Sequence, residues 1–288
     1  MSCGGTSGCR DNNYGGKRLR RHITQVKEFT LHFNRPDIIK IIPLGDQHLG
    51  TKHCYESGLI KKIKEIKDDP FAYWMDMGDS AEFITPSDKR WDSGVISDWL
   101  HPDNIATDQV NHYCDLFSPI ADKCIGKLEG NHEVSIKQHN HDNVQKNICD
   151  KLNITNLGYS CFIRFIFRRT KTETRSYTGM FTHGAGAAIT AGSKLQRLQR
   201  LMDSFDADIV AQGHTHDLIT YTKPYLKLAD NNEIKQRVKV GAMTGCWFRT
   251  YTQGVSASYG EQRNYPPVML GSPVFELIPN LDILRVRS

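Results

Sequence analysis

Five short clusters along the chain combine residue types that bind divalent cations. They are Gly45-Asp46-Gln47-His48, Gly78-Asp79, Gly130-Asn131-His132-Glu133, His183-Gly184 and Gly213-His214-Thr215-His216. Carboxylate oxygens, one amide oxygen and several imidazoles make a mixed donor set suited to Mn²⁺, Fe²⁺ or Zn²⁺ rather than to Ca²⁺ or a thiolate-bound metal. One carboxylate shared between two such ions would bridge them. Taken singly, each cluster is weak, because an Asp-x-His or a Gly-Asp pair arises by chance and a solitary histidine is usually structural. Taken together and in order, they are specific.

The clusters need elements to bring them together. Each follows an apolar run that reads as a buried strand, at 38–44, 71–77, 124–128, 177–182 and 207–212. Amphipathic stretches at 58–66, 105–120, 143–152 and 193–205 read as helices. The alternation is that of α/β layering, in which sites form beyond the carboxyl ends of the strands. After His216, alternating segments at 219–225, 237–242 and 274–278 predict a mainly antiparallel second sheet. No internal repeat or linker is present, so residues 23–288 read as one domain with an insert at about 84–104. The first 22 residues, with five glycines and the basic cluster Lys17, Arg18, Arg20 and Arg21, read as a flexible solvated tail.

Composition sets the outer bounds. With 288 residues, 39% of them hydrophobic and 24% charged, the chain can bury a full core, and general disorder is excluded. Its apolar runs fall far short of the roughly 20 residues of a membrane span, and the N-terminus lacks the apolar stretch of a signal peptide. The expectation is a cytoplasmic protein of a bacterium or of a phage's host. Eight scattered cysteines lack the spacing of a zinc finger or the density of a disulfide scaffold, so they read as free thiols. A net charge of +5 fits an anionic substrate but is also ordinary for a soluble protein.

All five clusters, in this order and each after a predicted strand, resemble the calcineurin-like metallophosphoesterase family. Its pattern is Asp-x-His, Gly-Asp, Gly-Asn-His-Asp/Glu, His, Gly-His-x-His, and the likeness runs from Asp46 to His216, about 60% of the chain. The resemblance implies a four-layer αββα sandwich of two mixed sheets flanked by helices. It also implies two divalent ions, Mn²⁺ first, with Fe²⁺, Zn²⁺ or Ni²⁺ as alternatives. Asp46, His48 and His216 would hold one ion, Asn131, His183 and His214 the other, and Asp79 would bridge them. A hydroxide between the ions would attack phosphorus in line, with no covalent intermediate. His132 would protonate the leaving group or, in the plainer alternative, make a supporting hydrogen bond.

Finer branches of the family leave different marks. The Ser/Thr protein phosphatases carry an acid where Glu82 stands, paired with the equivalent of His132, and Glu82 is taken as that partner. They follow it with a phosphate-gripping arginine, whereas this chain has Phe83. Asp46-Gln47-His48-Leu49-Gly50 resembles instead the opening of nuclease and phosphodiesterase members. The stretch from His183 to His216 is similar to calcineurin-like proteins encoded by phages and related mobile elements. The expected activity is therefore hydrolysis of phosphodiesters in nucleotides or nucleic acid, with no membrane partner. The alternatives are a phosphomonoesterase, including a protein phosphatase, and a catalytically silent metal-binding module. Three smaller features are open to two readings each. Lys194, after the glycine-rich loop, serves a phosphate or merely flanks a turn. Trp91 and Trp99 in the insert roof the site or, by preference, pack on the helix at 105–120. His53, Cys54, Arg249 and Tyr251 line the cleft or sit in ordinary loops.

Overall fold

A strand between two layers buries alternate side chains on each face, and one covered on both faces buries nearly all of them. Both kinds occur here. The computed structural model describes residues 25–35, 37–186 and 188–288, so the expected tail at 1–22 lies outside the described residues. The chain runs through β1 (Gln25–His32), β2 (Ile39–Leu44), α1 (Glu56–Asp68), β3 (Ala72–Asp76), α2 (Ile105–Phe117) and β4 (Cys124–Lys127). It continues through α3 (Asn131–Asn140), α4 (Val144–Leu152), β5 (Ser160–Arg168), β6 (Thr174–Thr182), α5 (Ala191–Ser204) and β7 (Ile209–Gln212). The last elements are β8 (Leu218–Leu228), β9 (Ile234–Thr244), α6 (Tyr259–Gln262), β10 (Val274–Ile278) and β11 (Ile283–Arg287).

Among the described residues the strands form two mixed sheets. One has the order β11-β10-β2-β3-β4, with β2, β3 and β4 parallel and β10 antiparallel to β2. The other has the order β1-β5-β6-β7-β9-β8, with β6, β7 and β9 parallel. The sheets stack face to face. Ile39, Ile41, Met75 and Phe275 of the first meet Ile163, Phe165, Phe181 and Val240 of the second in one core. The far side of the five-stranded sheet, with Leu44 and Trp74, is covered by Leu59 and Ile63 of α1, Tyr113 and Phe117 of α2, and Ile148 of α4. These residues recur every three or four positions, the stripe by which a helix buries one face. On the far side of the other sheet, Leu198 and Met202 of α5 pack on Val210 and Met243. The layers are helix, sheet, sheet, helix.

The strands that carry the five clusters do not share a sheet: β2, β3 and β4 lie in one and β6 and β7 in the other. One expectation about connectivity, a separate second sheet after His216, is corrected, because the β8–β9 hairpin extends the sheet of β6 and β7 while β10 pairs with β2. Periodicity reports which face of a strand is covered, and pairing partners are chosen by tertiary packing. The sequence reading also passes over β1, β5, α3 and β11. In β5, Cys161, Ile163, Phe165 and Phe167 alternate cleanly inward, yet the strand ends in no ligand cluster.

The core makes a stability contrast measurable. Phe165→Ala should cost about 3–5 kcal/mol, because the ring fills the space between the sheets. Leu226→Ser, at a position 71% exposed on the β8–β9 hairpin, should stay within about 0.5 kcal/mol of the parent. Urea denaturation of both variants checks the difference.

Candidate metal centre

Parallel strands bring their carboxyl ends to one edge, and here two sets of them meet. The loops after β2, β3 and β4 carry Asp46, His48, Asp79 and, as the first residue of α3, Asn131; those after β6 and β7 carry His183, His214 and His216. Five of these residues adopt left-handed backbone, with φ of +51° at Asp46, +52° at His48, +53° at Asp79, +67° at His214 and +58° at His216. That region costs a side chain roughly 1–2 kcal/mol, although Asp and His tolerate it better than most. Bonds between loops hold the backbone there. The Asp46 amide donates to the Gly78 carbonyl and the His48 amide to the Asp79 carbonyl, each at 3.1 Å. Gly78, at φ +92°, has no room for a Cβ, which would stand 2.6 Å from the Gly130 nitrogen and 2.8 Å from His183 Nδ1.

Among the described residues the donor atoms converge in three groups, one of which joins His48 to Glu82 and His132 and two of which hold the expected ligands. Ligand atoms of Asp46, His48 and His216 lie within 4.8 Å of one another, and so do those of Asp79, His183 and His214. In the first group the Nε2 atoms of His48 and His216 are 3.0 Å apart, and Asp46 Oδ1 is 3.4 Å from His216 Nε2. In the second, His183 Nε2 is 3.0 Å from Asn131 Oδ1 and 3.3 Å from Asp79 Oδ2. Backbone amides fix one oxygen of each carboxylate: His214 donates to Asp46 Oδ2 and His132 to Asp79 Oδ1, both at 2.9 Å. The other oxygens face the cluster, where buried Asp46 Oδ1 has the long contact with His216 Nε2. His183 Nδ1 lies 2.8 Å from the Met77 carbonyl, which fixes the proton on that nitrogen and leaves Nε2 as a donor atom for a cation.

Electrostatics follows the same division. Burial disfavours the charged forms of Asp79 and His183, but their mutual attraction outweighs it. The imidazole is pushed up to about 10 and the carboxyl is held well below its ordinary range. Burial and the charge of His183 lower His214. His216 is raised, because its bond to Asp46 and that carboxylate's charge overcome burial. A cation entering here displaces the proton that the charge of Asp79 otherwise keeps on His183. The inward-facing carboxylate oxygens, the fixed histidine tautomer and the mixed N/O set all fit divalent ions.

Glu82 meets both His132 and His48. Its carboxylate is 3.0 Å from His48 Nδ1 and 3.8 Å from His132 Nδ1, while its backbone carbonyl accepts from His132 Nδ1 at 2.5 Å. Burial opposes its ionisation, yet His48 and then His132 hold the carboxyl at about 2. Phe83 is buried at φ +47°, its amide bonded to Gln109 Oε1. A cation comes instead from the insert: Asp88 grips Arg90 through Nε and Nη2, and the charges of Glu82 and Asp79 reinforce that guanidinium more weakly. The insert is pinned beside the first ligand loop by the Lys52 amide to Val95 (2.7 Å) and the Ser97 amide to Gly50 (3.0 Å). Trp99 stacks on His112 of α2, with ring centroids 4.0 Å apart. Lys194 is buried against the Thr215 carbonyl (3.0 Å) and Asp217 (2.6 Å), holding the last ligand loop. His53 meets Thr252, Arg249 covers the Tyr55 ring and Tyr251 bonds Tyr265, so none of them joins the ligand groups. Phe248, absent from the sequence reading, lies 5.2 Å from His48 and 5.8 Å from His216 between ring centroids.

Beneath the ligands lies a charged cluster that the sequence reading missed. Lys127, Asp76 and Glu133 are all 0% exposed, and Lys127 Nζ reaches Asp76 Oδ1 at 3.2 Å, Ser80 Oγ at 3.1 Å and Glu133 Oε1 at 3.1 Å. Burial opposes the charge on Glu133, but Lys127 brings its carboxyl down to about 2. Burial prevails at Asp76 and raises its carboxyl, since one ammonium cannot fully offset two anions. The available signal was a lysine inside an otherwise apolar run at 124–128. Glu133 sets a pH expectation for the protein in chelator. Its folded value lies below the ordinary 4.5, so its stabilisation is complete above about pH 4.5 and is lost as pH falls through about 2. Glu133→Gln should remove that acid-side contribution and cost about 1–3 kcal/mol at neutral pH, because a buried amide replaces the charged acceptor of Lys127 and of three backbone amides. Urea midpoints across the acid range check both effects.

No protein-family model matches the sequence, and no curated protein matches it. Solved structures share its chain path. NAD nucleotidase (NadN) of Haemophilus influenzae is similar at 11% identity and a TM-score of 0.44, over 88% of this chain and 50% of that one. A metallophosphoesterase from Sphaerobacter thermophilus is similar at 11% identity and a TM-score of 0.37, over 86% and 87% of the two chains. Zinc-bound Vps29 from Entamoeba histolytica is similar at 11% identity and a TM-score of 0.32, over 86% and 97%. The chain thus spans half the length of NadN. These are likenesses of chain path alone.

Proposed function

We propose that the chain is a dinuclear metal-dependent hydrolase of phosphate esters, acting on diesters of nucleotides or nucleic acid in preference to monoesters. The observation that carries this reading is the convergence of seven N and O donors from two sheets, six in two adjoining groups and Asn131 Oδ1 at 3.0 Å from His183 Nε2. Asp46, His48 and His216 would hold one ion and Asn131, His183 and His214 the other. Asp79 would serve both. When bound, two such ions neutralise the phosphate oxygens and activate water for in-line attack. His132 supplies the proton for the departing oxygen: with Nδ1 held by the Glu82 carbonyl, Nε2 is its free nitrogen. Among the described residues no helix is long and apolar enough to cross a membrane.

Charge favours the diester. Among the described residues, Arg90, Lys194 and Lys127 beside the ligand loops are already paired, with Asp88, Asp217, and Asp76 and Glu133 respectively. A dianionic monoester finds fewer free donors here than it would beside an unpaired arginine, while a monoanionic diester needs fewer.

Plasma emission analysis should find two metals per chain, and Asp79→Asn should weaken both sites. One tight metal, indifferent to that change, would end the dinuclear reading. With Mn²⁺, kcat/KM should be higher for bis(nitrophenyl) phosphate than for nitrophenyl phosphate; the reverse order makes the chain a monoesterase, and inertness toward both with metals bound makes it a silent module. His132→Ala should keep both metals and lose roughly 10² to 10⁴ in rate, less with a nitrophenyl leaving group than with an alkyl one. An equal loss on the two removes the proton-donor role.

A further inference from the structure

We infer that Lys127 is a positioning residue of the metal centre, setting the spacing of three ligand loops through the two carboxylates it holds. Its Nζ has three protons and three acceptors, on Asp76, Ser80 and Glu133, so its capacity is filled and its place fixed. Each carboxylate then fastens backbone that carries ligands. Glu133 Oε2 accepts from the amides of Asp79 and Gly130 at 3.0 Å each, and Oε1 from the Ser80 amide at 3.0 Å and the Ser80 hydroxyl at 2.5 Å. One side chain thereby ties the loop of Asp79 to the start of α3, where Asn131 stands. Asp76 accepts from the Gly78 amide at 2.6 Å and, more weakly, from Gln47 Nε2 at 3.4 Å. Gln47 lies between Asp46 and His48, and the same Nε2 donates to the Leu44 carbonyl at 3.0 Å. The loops after β2, β3 and β4 therefore share one buried cation.

Fold stability alone does not call for this arrangement, because apolar side chains of similar volume usually serve a core as well as a buried ion cluster. What an ion cluster adds is direction: a carboxylate receives several amides at fixed angles, which an apolar contact cannot do. Partners of this kind outside the coordination sphere commonly alter metal affinity by about 10- to 100-fold. The inference rests on the two-cation reading, and its test separates the two.

Mn²⁺ titration calorimetry and electron paramagnetic resonance of the Mn²⁺-loaded full chain are applied to the parent, Lys127→Met and Phe165→Leu, with folding followed by near-UV circular dichroism. The parent should bind two ions and show a spin-coupled pair. Lys127→Met should fold, bind Mn²⁺ about 10- to 100-fold more weakly and lose the coupled signal, while Phe165→Leu, destabilised far from the centre, keeps parental affinity and coupling. If Lys127→Met does not fold, the charge-free variant Asp76→Asn/Lys127→Met/Glu133→Gln takes its place, with the same weakening expected. Parental affinity and coupling in the folded variant overturn the inference while leaving the two-cation reading intact. Failure of the parent itself to bind two ions overturns that reading and this inference with it.

Discussion

An ammonium group sealed from water stays charged only if anions surround it, and those anions must then be held as well. Lys127 imposes that condition on the floor of the site. Its demand for carboxylates brings Asp76 to the end of β3 and Glu133 to the first turn of α3, and theirs for donors recruits amides from neighbouring loops. A chain of obligations thus runs from one buried charge to the turns that present the ligands. Few alternative backbone arrangements satisfy every member at once, which makes the local geometry singular.

The same logic explains how so much left-handed backbone is tolerated. Asp46, His48, Asp79, His214 and His216 each sit where a Cβ is disfavoured. Strain of this sort survives where surrounding bonds over-determine the conformation, and it clusters at functional sites for that reason. Tightly turned loops after parallel strands let ligands two residues apart, such as Asp46 and His48, reach a common point. Extended backbone would send alternate side chains to opposite faces, but the shared direction here comes from the turn.

What the sequence displays is local. Residue type and offset from an apolar run mark the ends of β2, β3, β4, β6 and β7, because a buried strand and the polar turn after it are adjacent in sequence. The division of those strands between two sheets depends on partners far away, and no local pattern encodes it. α3 escapes because its apolar periodicity is slight: Asn131-His132-Glu133-Val134-Ser135-Ile136 is a helix start fixed by Glu133 and by contacts below it. Glu82 shows what position within a motif leaves open, since its carboxylate meets His48 as well as His132. Arg90 shows the same, because an insert returns a charge to the neighbourhood that Phe83 fails to supply.

The seam between the sheets gives the centre a second consequence. Each group of expected ligands draws from both layers: Asp46 and His48 come from one sheet and His216 from the other, while Asp79 and Asn131 face His183 and His214 across the same divide. An ion in either group would act as a rivet through the sandwich, resisting slippage of one layer over the other as well as binding substrate. By mass action such a rivet adds about 2.7 kcal/mol to the folded state when free metal stands at about 100 times its dissociation constant. Metal supply would then govern the lifetime of the protein as well as its turnover, and starvation for the ion would loosen the molecule along the plane where its two halves meet.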